Sequence, residues 1–422
     1  MDKNKRLTVW LPVIIAASIA LGIFIGNHYL SISQGKKRSY SSGNKINAIL
    51  DIIDEQYVDT VSMSKLVEST IPKIFSELDP HSVYIPAEDA SVVNEELEGS
   101  FSGIGVSFNM QTDTSLVISV ISGGPAEKAG LLPFDRIISI NDSIFSGKKK
   151  NQGEIMKTLR GAKNSTVKLG VQRGNSPELL YFDVTRGDVP VNSVDVSFEA
   201  AKGIGYIKVS KFARNTYNEF ITAIAKLKQA GCTSFVIDLR GNTGGYMDAA
   251  INMINEFMPE GRLIVYTEGK SFPRSDVYAN GTGTCKDAPI VVLTDEISAS
   301  ASEIFSGAIQ DNDRGTIIGR RTYGKGLVQT QMSLSDGSEM RLTIARYYTP
   351  SGRCIQKKYE MGNTDAYDQD IYNRYMHGEF DSADSIKMDD SLKYQTVGGR
   401  TVYGGGGIKP GCFIPRYQRG GY

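Results

Sequence analysis

Asp295-Glu-Ile-Ser-Ala-Ser-Ala-Ser-Glu-Ile-Phe305, followed by Gly319-Arg-Arg-Thr-Tyr-Gly-Lys-Gly-Leu-Val-Gln329, decides how this chain is read. The run before it, Pro289-Ile-Val-Val-Leu-Thr294, is short, apolar and β-branched, which predicts a buried strand. The run after it places Ile304, Phe305, Ala308 and Ile309 at helical spacing. Three serines therefore fall on a strand-to-helix turn. Helix N-termini present unpaired N–H groups and the positive end of a dipole, an arrangement that suits a developing oxyanion. Ser300 with Glu303 also reads as a capping box, and a serine of that kind can serve the helix alone.

The remaining chemistry is bounded by what the sequence lacks. Its three histidines are His28 at the end of an apolar run, His81 in the turn-like Leu78-Asp-Pro-His-Ser82, and His377 in a polar stretch. A Ser-His-Asp triad would have to recruit one of them from a segment that reads as peripheral. There is no His-Glu-x-x-His, no Cys-x-x-Cys and no Gly-x-Ser-x-Gly. For a serine nucleophile, a lysine base is the economical choice. Lys325 stands between two glycines, where backbone can approach closely. A lysine base must be largely neutral, yet its ordinary pKa is about 10.4. Burial can bring it to about 5–6. The chemistry thus requires Lys325 to be desolvated and without a carboxylate partner.

Ser-Ala-Ser-Ala-Ser-Glu-Ile-Phe with Tyr-Gly-Lys-Gly-x-Val-Gln resembles the carboxyl-terminal processing proteases, tail-specific serine peptidases with a Ser-Lys dyad and a PDZ domain. Similar stretches occur at Leu78-Asp-Pro-His-Ser-x-Tyr84, Asp238-Leu-Arg-Gly-Asn-Thr-Gly-Gly245, Thr349-Pro-Ser-Gly-Arg-Cys-Ile-Gln356 and Gly398-Gly-Arg-Thr-Val-Tyr-Gly-Gly-Gly-Gly-Ile408. The resemblance spans about residues 46 to 410. It implies Ser300 as nucleophile, Lys325 as base and Gln329 as support for the lysine. Ser298 and Ser302 are the fallback nucleophiles. A strand would carry Gln329 about 13 Å beyond Lys325, so contact between them requires the chain to curl at Gly326. The oxyanion donors expected are the N–H of Ala301 and one N–H from Gly244 or Gly245. Asp238 and Arg240 are assigned to structure. The fold implied is a multidomain α/β protein: a protease core with a ClpP/crotonase-like sheet and helices, an inserted PDZ domain and a small helical N-terminal domain.

The order of the chain agrees with that frame. Met1-Asp-Lys-Asn-Lys-Arg6 is basic, and Leu7 to Asn27 carries no titratable group, about 21 residues or roughly 30 Å of helix. Residues 1–30 are expected to be a retained membrane anchor rather than a cleaved signal. That would place the catalytic body outside the inner membrane, in the periplasm or another extracytoplasmic space. Residues 31–44 read as a linker. Residues 45–86 read as two helical pieces, one with Ile46, Ile49, Leu50 and Ile53 on a stripe, the other with Leu66, Ile71, Ile74 and Phe75.

Residues 87–187 change character. Gly124-Pro-Ala-Glu-Lys-Ala-Gly-Leu-Leu-Pro-Phe-Asp-Arg-Ile-Ile resembles the helix-then-strand signature of a PDZ domain. Such domains take a chain terminus as an added strand and hold its carboxylate with backbone N–H groups. The turn Gly103-Ile104-Gly105-Val106 is where that loop falls. For Arg160, before the strand from Thr166, the family resemblance implies a link between a bound carboxylate and the active arrangement; by its sequence alone it reads as a solvated turn residue.

Residues 188–350 alternate strand and helix, which implies a largely parallel sheet with helices on its faces. Sites in such sheets lie beyond the carboxyl ends of strands, where the turns at 238–245 and 298–302 both fall. Residues 351–422 read as a polar, peripheral helical segment that partly returns to the core. After Gly404-Gly-Gly-Gly-Ile-Lys-Pro410 the sequence departs from the family pattern.

Balanced charge, 47 basic against 47 acidic residues, gives no argument for a nucleic-acid partner. The four cysteines are far apart and form neither a disulfide framework nor a zinc pattern. No cofactor or metal is expected. The partners expected are protein substrates bound through their C-terminal tails, the membrane, and a second copy of the chain in a homo-oligomer. Two other readings remain to be weighed. Gly319-x-x-x-x-Gly-Lys325 nearly matches a phosphate loop, but Gly326 stands where a Ser or Thr should hold Mg²⁺. A catalytically silent PDZ-bearing scaffold is the other.

Overall fold

The computed structural model describes residues 16–23, 42–111, 114–144 and 152–416. By its contacts the chain divides into residues 1–70 and 71–422. In the first, residues 16–23 are helical, Ser42–Gln56 is a helix, and the Met63–Ser76 helix begins. Ile46 and Ile49, expected on a buried stripe, remain about half exposed. Most of the expected membrane segment lies outside the described residues. No helix among those described is long and apolar enough to cross a membrane.

Within residues 71–422 the PDZ module closes on its own core. Its antiparallel strands run in the order Val106–Gln111, Thr114–Val120, Arg136–Ile140, Thr166–Gln172 and Leu180–Thr185. Alternation in Thr166–Gln172 buries Val167, Leu169 and Val171 against Val117, Ile137 and Val184. The Gln152–Leu159 helix closes this core with Ile155 and Leu159. The chain enters through Ser100–Gly103 and leaves through Gly187–Pro190. These two strands pair with each other, Phe101 opposite Val189, so the module is an insertion on a two-stranded stalk.

The sheet beneath the site is largely parallel, as the alternation implied. Val194–Ala201 pairs antiparallel with Ile204–Val209; Ser234–Asp238, Ile290–Thr294, Thr316–Gly319 and Cys412–Phe413 then follow in parallel. Along Ile290-Val-Val-Leu-Thr294 burial alternates: Ile290, Val292 and Thr294 are buried, Ile290 and Val292 in the main core, while Val291 and Leu293 on the other face are only half-buried. The departing C-terminal sequence supplies the edge strand at Cys412–Phe413.

One expectation changes here. Within the alternating residues 188–350, Leu263-Ile-Val-Tyr266 is expected to be a strand of the parallel sheet; the strand observed is Leu263–Glu268. It belongs instead to a second, antiparallel sheet with Ser275–Tyr278, Glu339–Tyr348, Leu327–Ser333 and Val83–Ile85. Alternation alone cannot tell the two apart, because the partner strand decides the direction. Val83–Ile85, placed with the helical N-terminal residues in the sequence reading, is therefore a strand of this sheet.

The Ala301–Asp311 helix is buried along its whole length. Ile304, Phe305, Ala308 and Ile309 fill the main core. Its buried acid Asp311 meets Arg353 in a fully buried ion pair at 2.7 Å. This pair ties the segment after residue 350 to the helix, so that segment is less peripheral than its polarity suggests. In the Thr364–Met376 helix, Tyr367 and Arg374 point inward and are buried. All four cysteines are free thiols.

Candidate active site

Three serines sit on one turn, and their surroundings separate them. Ser298 is buried; its hydroxyl donates to Leu239 O at 2.8 Å and accepts from the Asp295 N–H. Ser302 is buried and donates to Asn242 O at 2.9 Å. Both pin the 238–245 turn to the 295–302 turn. Ser300 alone faces a cleft of about 1040 Å³. Its φ of +54° and ψ of −113° lie outside the favoured regions for a side-chain-bearing residue. Such a conformation stores about 1–3 kcal/mol and is held by its surroundings. Gly244 is one of those surroundings: with φ +106°, a Cβ there would stand 2.7 Å from that of Ser300. Only glycine lets the two turns approach this closely.

Beneath the turn lies Glu303. Its carboxylate accepts from the Ser300 N–H (2.9 Å), the Thr322 hydroxyl (2.5 Å), the Gly324 N–H (2.7 Å) and the Lys325 N–H (2.8 Å). Burial pushes its pKa up to about 7, against the pull of these four donors. The Tyr347 hydroxyl lies 2.6 Å from Lys325 O and 3.2 Å from Ser300 O. One carboxylate and one phenol thus join the serine turn to the lysine turn. The capping-box spacing revealed Glu303 as a helix cap; its second task, holding the lysine loop, is non-local and left no sequence signal.

Lys325 lines the same cleft. Its ammonium donates to Gln329 Oε1 at 3.0 Å and enters no ion pair among the described residues. Desolvation, and next the charge of Arg341, hold its pKa below the usual lysine value; Asp79 and Glu303 pull the other way. The curl needed to bring Gln329 close is supplied by the turn at Gly326 and an irregularity in the strand between Val328 and Gln329. The Gln329 amide donates in turn to His81 O. His81, which read as peripheral, is therefore part of this neighbourhood. Ser300 Oγ and Lys325 Nζ open into the same space but share no hydrogen bond.

The expected oxyanion donors separate. The Gly244 N–H is engaged by Asn242 Oδ1 at 2.8 Å. Gly245 and Ala301 line the cleft, and among the described residues neither backbone N–H has a hydrogen-bond partner. Asp238 and Arg240 pair with each other at 2.7 Å. The phosphate-loop alternative does not fit. The Gly324 and Lys325 N–H groups face the Glu303 carboxylate, and a strand, Leu327–Ser333, follows instead of a helix.

On the PDZ module a second, smaller hollow of about 70 Å³ is lined by Ile104, Gly105, Val106, Phe108, Met156 and Leu159. Gly103 lies outside it, in the stalk opposite Gly187. Phe101 and Arg160 belong to the walls of both hollows. Arg160 reaches Glu95 at 3.3 Å and lies 4.6 Å over the Phe101 ring, while its buried Nε has no partner. No cluster of three His, Cys, Asp or Glu side chains able to hold a metal occurs among the described residues.

A serine at a strained helix start, a desolvated lysine and a PDZ module on a stalk define the class, and comparison with known proteins agrees: the chain belongs to peptidase family S41, the serine-type carboxy-terminal processing proteases. Residues 203–365 match Peptidase family S41 and residues 102–195 match a PDZ domain. It is 34% identical over 318 residues to the carboxy-terminal processing protease CtpB of Bacillus subtilis (strain 168), covering 75% of this chain and 66% of that one. It is 33% identical over 365 residues to a probable CtpA-like serine protease of Staphylococcus aureus (strain N315), covering 85% and 72%. A solved photosystem II D1 C-terminal processing protease matches with 28% identity and a TM-score of 0.42, over 75% of this chain and 91% of that one.

Proposed function

We propose that the chain is an endopeptidase that cuts proteins at or near their C-termini, with Ser300 as nucleophile and Lys325 as its general base. The observation that carries this reading is the state of Lys325: desolvated, near a second cation, and hydrogen-bonded to a neutral amide. Those conditions favour the neutral amine that a base must be. In the reaction Lys325 Nζ takes the Ser300 proton as Oγ attacks the scissile carbonyl, and returns it to the leaving amine. The Ala301 and Gly245 N–H groups receive the oxyanion. Gln329 orients the lysine. A dyad that is open in the empty site and tightens around substrate is ordinary behaviour for catalytic hydrogen bonds.

In this reading the apolar hollow beside Ile104, Gly105 and Val106 takes an apolar C-terminal side chain, and Arg160 connects it to the cleft. The substrates are extracytoplasmic proteins, the N-terminal segment tethers the enzyme to the inner membrane, and a homo-oligomer is compatible with it. The test is labelling with a serine-directed fluorophosphonate and mapping of the modified residue. Modification at Ser300, lost in Lys325→Ala, supports the dyad; modification at Ser298 or Ser302 overturns it.

A further inference from the structure

Lys325 is held from behind by a closed ring of hydrogen bonds that reaches the Thr364–Met376 helix. Its ammonium donates to Gln329 Oε1 at 3.0 Å, and Gln329 Nε2 donates to His81 O. The His81 ring Nε2 lies 2.9 Å from the Tyr367 hydroxyl. Gln356 Nε2 donates to that same hydroxyl at 3.3 Å. Gln356 Oε1 accepts from the Gly326 N–H at 2.8 Å, which returns the ring to the residue after the lysine. One arm fixes the lysine side chain and the other its backbone. Both arms end on one oxygen atom.

The Tyr367 hydroxyl accepts from Gln356 Nε2 and still has a proton and a second lone pair for its contact with His81 Nε2. Burial, and next the charge of Lys325, hold His81 down at about 4, with Asp79 pulling upward and Lys357 also facing it. The His81 carbonyl is itself immobilised. The Asp79 carboxylate accepts from the His81 N–H (3.0 Å), the Ser82 N–H (3.1 Å) and the Thr343 hydroxyl (2.9 Å). Thr343 lies directly opposite Gln329 in the strand pair. Tyr367 is in turn only 3% exposed, with the Lys357 ammonium 3.9 Å over its ring.

We propose that Tyr367 is a positioning residue for Lys325. Its hydroxyl keeps His81 and Gln356 in place, and through them keeps Gln329 on the lysine side chain and the Gly326 turn at the height from which the amine reaches Ser300. The inference rests on the Ser300–Lys325 reading. It adds that the 364–376 helix, remote in sequence from both residues, sets the geometry of the base.

The test measures kcat and KM for an unfolded protein ending in a free apolar tail. Tyr367→Phe removes one oxygen and keeps the ring. It should lower kcat about tenfold and leave KM within about twofold, the scale of one lost hydrogen bond expressed in a transition state. In Gln329→Ala the side-chain arm is already cut, so adding Tyr367→Phe should lower kcat by clearly less than it does in wild type, only the Gln356 arm being left to lose. Tyr372→Phe, on the exposed side of the same helix, should match wild type. An unchanged kcat in Tyr367→Phe overturns the proposal, as does a double variant whose losses multiply. A purely structural role would lower the melting temperature and leave kcat per folded molecule intact, which also overturns it. Should Tyr367→Phe not fold, Gln356→Leu cuts the backbone arm and must lower kcat several-fold at an unchanged KM; an unchanged kcat overturns the proposal. Lys325→Ala is measured alongside. If it is fully active, the dyad reading itself fails; if it is dead while Tyr367→Phe is normal, only the ring fails.

Discussion

The backbone N–H groups of Ser300 and Lys325 donate to the same oxygen, Oε2 of Glu303, at 2.9 and 2.8 Å. The serine turn and the lysine turn therefore cannot move apart without exposing a buried carboxylate. Arrangements of this kind replace solvent reorganisation by fixed geometry, which is what a preorganised site requires.

Ser300→Ala and Lys325→Ala should each abolish proteolysis while leaving the fold intact. In the proposed dyad the two act as a unit, so the double variant should be no slower than either single one. Steady-state kinetics on a tailed substrate, with circular dichroism as the folding control, measures this.

Ser298→Ala and Ser302→Ala should differ in kind from Ser300→Ala. Each removes a buried donor and leaves a carbonyl, Leu239 O or Asn242 O, without it. The expected outcome is a loss of about 1–3 kcal/mol in stability, with chemistry surviving in the folded fraction. Denaturant melts together with fluorophosphonate labelling distinguish the two effects.

In the proposed dyad the neutral amine of Lys325 is the working form, so kcat should rise with pH through the Lys325 pKa. Desolvation and Arg341 both lower that pKa, so removing the Arg341 charge moves it back up. In Arg341→Gln the rising limb should shift to higher pH, and the deficit near neutrality should disappear at alkaline pH. A pH–rate profile of both enzymes shows it; a uniform loss at every pH would assign Arg341 to substrate binding instead.

Glu303 makes an opposite contribution to stability. Its folded pKa of about 7 lies above its ordinary 4.5, so the folded state binds the extra proton. The stabilisation is complete below about pH 4.5 and is lost as pH rises through about 7. Thermal melts of wild type should decline across that window relative to Glu303→Gln, whose side chain does not titrate. Glu303→Gln should also lower kcat at least tenfold, since an amide can no longer accept at every position the carboxylate serves.

Arg160 stands between the two hollows, with a free Nε and a bond to Glu95, where the proposed tail sensing would need it. Arg160→Ala should lose the preference for a free over an amidated apolar tail, yet keep hydrolysis of a small ester at wild-type rate. Equal cleavage of both tails by the wild-type enzyme would remove tail sensing from the account.

Much of this architecture was legible because it is written locally. The β-branched run before Asp295, the Ser300–Glu303 spacing and the apolar periodicity after it all report on the same dozen residues. The parallel sheet followed from alternation. What stayed hidden depends on distant partners. Along an ideal strand Gln329 is about 13 Å from Lys325, and only the tertiary position of the Gly326 turn and the irregular step at Val328 bring them together. Leu263–Glu268 carries the same pattern whether its neighbour runs parallel or antiparallel. His81 and Tyr367 meet across nearly the whole protease body. Their residue types, a histidine after proline and a tyrosine in a polar helix, describe only a turn and a surface until the chain closes.

That closure has a consequence for synthesis. On the ribosome, the nucleophile's helix and the lysine's strand emerge first. The residues that brace them come last: Arg353 to Asp311, Gln356 to the Gly326 N–H, and the Ile408 N–H to Thr322. A nascent chain that has exposed only residues up to about 350 carries every atom of the reaction and none of this bracing. The geometry that joins the two turns is thus completed by residues made after both of them, and a chain cut near residue 350 should hold the Gly326 turn less firmly than one that carries Gln356.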